Sequence, residues 1–172
     1  MSLSSKVAVL LIRGAALISF CAPSLLSQIR QINPTRLPQD SAVQLAYKDL
    51  LPIDQFARTY AATWRFPVPK DDVASRFSTA LLTLEKAQQQ APDNKELQLF
   101  TGLVAHLAYN LGIEEAYNPA LKLLQPLASQ DYRAAWFLGM HQCQSNDPVG
   151  GMQRLLRVET SSASVPSAFW QD

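Results

Sequence analysis

Residues 70–110 read KDDVASRFSTALLTLEKAQQQAPDNKELQLFTGLVAHLAYN, two long helical stretches divided by a proline turn. In the first, Ala80, Leu84, Ala87 and Pro92 follow offsets of 0, 4, 7 and 12. Those steps keep the first three on one helical face, and the proline ends the helix because it has no N–H to donate. Asp71 or Asp72 is placed to cap a helix running to about Gln90. Asp93 with Glu96 three residues on has capping-box spacing for a second helix, ending near Asn110.

Working outward, the same punctuation recurs. Asn118-Pro119 and Asp147-Pro148 each put a capping residue before a proline at the first helical position, and Asp131 caps another start. Residues 70–160 therefore predict about five helices, each of roughly 10–20 residues. No Val-, Ile- and Thr-rich alternation bounded by hairpin turns is present, so the fold class is all-α. Upstream, residues 41–69 predict a short helical pair broken near Leu51-Pro52. Its second half carries Phe56, Tyr60 and Trp64 on one stripe, and Pro67 and Pro69 stop it. Residues 25–40, with Pro34 and Pro38 and no clean period, predict an extended linker.

The small-large-small-proline pattern resembles the second helix of a tetratricopeptide repeat. Counting a new repeat from Lys95 puts Gly102 at the eighth position, where the family's small residue lets two helices approach, and Ala105 at the eleventh. Trp136, Leu138 and Gly139 resemble the next first helix, and Gly151, Leu155 and Val158 the helix that follows it. Ala120, Leu124 and Leu127 keep the same offsets in between. Gly102 to Ala120 exceeds the family spacing of twelve by six residues, which predicts an enlarged turn over Tyr109–Asn118. Pro126 predicts a kink in the helix begun at Pro119. The resemblance implies antiparallel helix hairpins stacked as a short solenoid over residues 70–172.

The first 24 residues carry Lys6 and Arg13, no acid, an apolar stretch and small residues at Ala22 and Ser24. That pattern predicts a secretory signal cut after Ser24. An uncleaved membrane anchor is the alternative, though the run spans about 20 residues only by including Arg13 and Pro23. A lipid-modified Cys21 is disfavoured by Phe20 before it. Removal of the segment leaves 13 Lys and Arg against 14 Asp and Glu, with Cys143 as the remaining cysteine. The expected location is therefore exported, periplasmic or extracellular, with a membrane role confined to the first segment if it stays.

Fifteen cations against fourteen acids, scattered rather than striped, argue against nucleic-acid binding. Two cysteines exclude a disulfide framework, and two histidines leave little for a metal site. His141 and Cys143 point about 200° apart on a helix, and His106 has no acid or second histidine four residues away. No phosphate-cradling glycine loop or GxSxG motif occurs. The expectation is a non-enzyme without cofactors whose partner is another protein or peptide.

In the resembled family the first helix of each repeat lines a concave groove. Carried over by position, Glu96, Leu99, Leu103 and His106 from one repeat, with Arg133, Trp136, Met140 and Cys143 from the next, would form it. Aromatic, methionine and arginine side chains are the types enriched where proteins dock. The chain's end, with Pro166, Phe169 and Trp170, resembles the opening of one more helix. Two readings follow from it: the protein continues beyond residue 172, or the short helix folds back as a plug. The alternative function is the amino-terminal helical accessory region of a longer secreted enzyme whose catalytic residues lie beyond Asp172.

Overall fold

A computed structural model describes residues 27–58, 64–145 and 147–160, and every regular element among them is helical. Six α-helices are present among these residues: α1 (Ser41–Leu50), α2 (Lys70–Gln90), α3 (Lys95–Asn110), α4 (Tyr117–Leu124), α5 (Tyr132–Cys143) and α6 (Pro148–Thr160). Short 3-10 turns occupy Gln28–Gln31, Pro34–Arg36, Asp54–Phe56 and Glu114–Ala116. The segment expected to be a signal, Tyr60, Phe169 and Trp170 lie outside the described residues.

Several helix starts differ from the sequence expectation, each for a local reason. Helix α2 begins at Lys70 behind Pro69, so Asp71 and Asp72 sit inside its first turn, where they complement the amide dipoles instead of capping. Helix α3 is capped by Asn94, whose Oδ1 accepts from Leu97 N at 2.9 Å. Asp93 is not its cap, and Glu96 does not reach back, because its carboxylate is engaged elsewhere. Helix α4 starts at Tyr117 directly from the preceding 3-10 turn, so Asn118 is already helical. It ends at Leu124, and Pro126 falls in the following turn instead of kinking a longer helix. Asp131 and Asp147 act as expected. Their carboxylates accept from Arg133 N at 2.8 Å and from Gly150 N at 2.9 Å.

Contacts fix how the helices run. Gln98 Nε2 donates to Leu123 O and Lys95 Nζ to Gln130 Oε1, so α3 and α4 advance in opposite directions. Gly139 faces Leu155 while Arg154 Nε donates to Gln142 Oε1, which makes α5 and α6 a second antiparallel pair. The small residues sit where these pairs nearly touch. A Cβ built on Gly102 would lie 2.8 Å from Leu124 Cδ2, and one on Gly139 would lie 2.7 Å from Leu155 Cδ2. Ala80 is buried too, beside the α1–α2 contact.

One core runs through most of the molecule, centred on Phe77, Leu84, Leu97, Phe100, Leu103, Leu107, Leu124 and Phe137. Helix α3 carries buried residues all around its circumference, from Leu97 to Asn110, because α2, α4 and α5 surround it. The expectation of an extended linker over 25–40 is corrected from Ser27 onward. Ile29, Ile32 and Leu37 are buried in the same core, so this stretch belongs to the packed unit. The expected second helix of 41–69 appears, where described, as the 3-10 turn at Asp54–Phe56. Phe56, Trp64 and Phe66 nonetheless meet as a ring cluster, with Phe56 and Phe66 centroids 4.9 Å apart.

Candidate functional site

The eight residues expected to line a groove lie on α3 and α5, and the two helices are neighbours. They run parallel, since Glu96 meets Arg133 and, ten residues on, His106 meets His141. The pairs are 37 and 35 residues apart in sequence. The structure corrects the picture of an open groove. Leu99, Leu103 and His106 are fully buried, Met140 is 3% exposed and Glu96 is 5% exposed. Trp136 and Cys143 are half-buried, and Trp136 packs against the core. The neighbouring helices α2, α4 and α5 enclose the α3 residues, and the chain's own residues 31–33 lie against Glu96 and Arg133.

Arg133 organises the first end. Its guanidinium donates to both Glu96 oxygens, at 2.8 and 2.9 Å, and to both oxygens of Asp131, at 2.7–3.2 Å. A sixth bond, 2.7 Å long, goes to the main-chain oxygen of Gln31. Burial works against the charge. The hydrogen bonds and charges of Asp131 and Glu96 outweigh it, and the guanidinium is held protonated more firmly than usual. Glu96 Oε1 also accepts from Asn33 N at 2.6 Å. The ion pair therefore holds both α3 to α5 and the amino-terminal stretch to both helices. Beside it lies an open recess of about 390 Å³, lined by Arg36, Asn94, Lys95, Leu127 and Gln130 together with the ion-paired residues.

A second clasp lies at the start of that stretch. Asp54, 1% exposed, accepts from the Ser27 hydroxyl at 2.8 Å, from Ile29 N at 3.0 Å and from Arg58 Nη2 at 3.2 Å. Further along, Asn94 Nδ2 donates to Arg36 O, and Gln44 Nε2 to the oxygens of Pro34 and Pro38. Side chains of the helical body thus read the main chain of residues 27–38 at six points.

The far end of the α3–α5 contact holds the two histidines. Their Nδ1 atoms are 3.3 Å apart, and the rings meet edge to face. Only one nitrogen can donate across that gap, so one ring carries its proton on Nδ1 and the other does not. Burial pushes the His106 pKa down to about 3, aided by the charge of His141. Burial also lowers His141, to about 4, against a main-chain hydrogen bond with Tyr117. Both rings are therefore neutral near neutral pH, sealed from solvent, with Tyr109 and Tyr117 stacked around His141.

Sequence reasoning kept His106 and His141 apart because it compared each only with residues on its own helix. The signal lay in their spacing of 35, close to the 37 between Gly102 and Gly139. Among the described residues no group of three metal-ligating side chains is present, and no helix is long and apolar enough to cross a membrane. The chain matches no family model, no curated protein and no solved structure.

Proposed function

We propose that this chain is a non-catalytic protein-interaction scaffold, exported to the cell envelope or exterior, built from tetratricopeptide-like helix hairpins. The carrying observation is the surface across α3 and α5, where buried charged side chains bind an irregular stretch of polypeptide through its main chain. Such a surface suits protein recognition, because main-chain contacts give affinity while apolar pockets select side chains. Two further observations support the hairpin reading. Gly102 and Gly139 occupy equivalent close approaches, each against a leucine of the following helix. Glu96 and Arg133, both second in their counted repeats, meet across α3 and α5.

The polar groups argue for binding over chemistry. His106 and His141 are neutral, mutually bonded and closed from solvent, so neither reaches a substrate. Arg133, Glu96, Asp131 and Asp54 are all engaged in structural bonds.

A photo-crosslinking residue replacing Trp136, which sits half-buried beside this surface, tests the reading. In the compartment where the chain resides it should join one partner, and Arg133→Ala should abolish the product while helical circular dichroism persists. Crosslinking that ignores Arg133→Ala refutes this surface as the contact.

A further inference from the structure

Residues 27–33 occupy the α3–α5 surface in the manner of a bound peptide. They contain one 3-10 turn, and the residues around it, Ile32 and Asn33, have extended backbone. Asp54 takes the Ile29 N–H, Arg133 the Gln31 oxygen and Glu96 the Asn33 N–H. Ile29 and Ile32, three residues apart, sink completely into the core. Nothing in these three main-chain bonds depends on which side chains the held stretch carries. Side-chain selection rests on the two isoleucine sites.

We propose that this surface is a receptor for a short aliphatic peptide, and that residues 27–33 are its tethered resident. The external partner carries the same chemistry: two branched aliphatic side chains three apart, with a free amide N–H directly after the second. The inference rests on the scaffold reading and names its ligand class and its control. A tethered occupant acts at an effective concentration of about a millimolar, so it suppresses an identical free peptide strongly. Partner binding then requires displacement of residues 27–33, which makes the stretch self-inhibitory.

The test uses a labelled synthetic peptide of residues 25–40 and the full chain. Fluorescence anisotropy should show at least tenfold tighter binding to Ile29→Ser/Ile32→Ser, whose own segment cannot dock, than to the unaltered chain. Methylating the peptide's Asn33 amide nitrogen removes the hydrogen that Glu96 receives and should weaken binding by about tenfold. A folded variant that binds the peptide no better than the unaltered chain overturns the proposal.

Native-state hydrogen exchange on the unaltered chain gives a second measurement that does not depend on the variant's folding. Ile29 and Asn33 amides should exchange by a local opening well before Leu99 and Leu103. Exchange of all four only through global unfolding makes the stretch an integral part of the fold and also overturns the proposal. Crosslinking at Trp136 that is indifferent to Ile29→Ser/Ile32→Ser removes this inference and leaves the scaffold. Peptide binding without any crosslinked partner does the reverse.

Discussion

Acid should destabilise this protein more steeply than its carboxylates alone would make it, and the source is the His106–His141 pair. In the unfolded chain each imidazole takes a proton below pH about 6.5. In the folded chain they resist protonation until about pH 3 and about pH 4. Between those limits the unfolded state binds more protons, so stability is fully present above the unfolded value and falls as pH falls toward the folded ones. At pH about 5 each histidine lies roughly 1.5 units below its unfolded value, at about 1.4 kcal/mol per unit. The pair thus removes about 4 kcal/mol between neutrality and pH 5, a large part of the roughly 5–15 kcal/mol that holds a domain folded. Among the described residues, the rings facing His141 besides His106 are Tyr109 and Tyr117, neutral over this range.

Urea denaturation followed by circular dichroism, repeated between about pH 7.5 and pH 5, reads this as a slope of about 2.5 kcal/mol per pH unit near pH 5.5. His106→Gln should roughly halve that slope whatever it does to stability at neutral pH. Carboxylate contributions are common to both proteins and cancel in the comparison. Parallel pH curves for the two would refute the burial of two neutral imidazoles.

Other perturbations test the packing and the clasps. Arg133→Met leaves Glu96 buried without its countercharge and should cost about 3–5 kcal/mol in urea denaturation. Gly139→Ala sets a methyl 2.7 Å from Leu155 Cδ2 and 3.2 Å from Gly151 O. The crowding, about 1–3 kcal/mol, exceeds the helix-propensity gain of up to about 1 kcal/mol, so a lowered melting temperature is expected. Asp54→Ala removes the acceptor for Ser27 and Ile29, and Ile29 amide exchange should accelerate more than that of Leu103. Leu82, 67% exposed on α2, should accept Leu82→Lys with less than about 0.5 kcal/mol of change in thermal denaturation.

The helical class and most helix boundaries were legible because they depend on local chemistry. Pro92, Asp131 and Asp147-Pro148 act through their own backbone neighbourhood, and the ends at Gln90 and Asn110 followed. Gly102 and Gly139 were legible as close approaches because a missing side chain within an apolar face has few other uses. Residues 27–38 were not legible. With two prolines and no period they read as a linker, and what orders them is tertiary, namely Asp54, Glu96 and Arg133 from distant parts of the chain. The expected groove residues lie on two neighbouring helices, but their exposure was not deducible without knowing what packs over them. Glu96 shows the conflict most sharply. Its local spacing promised a capping box, and a half-buried arginine 37 residues away outcompeted that weak local bond.

The polar pairs between α3 and α5 have a role that apolar packing cannot fill. Leu99, Leu103 and Met140 present similar surfaces at successive turns, and a slide of one helix past the other by one turn would keep much of their burial. The same slide would move Arg133 about 5 Å from Glu96 and leave the buried Glu96 carboxylate without its countercharge, while parting His106 from His141 at the opposite end. Two polar contacts ten residues apart on α3 thus select a single register from several of comparable apolar burial. Register in turn decides whether the Arg133 and Glu96 donors and acceptors face Gln31 and Asn33. The stability cost of burying these groups is therefore tied to the one arrangement in which the surface can hold a peptide main chain.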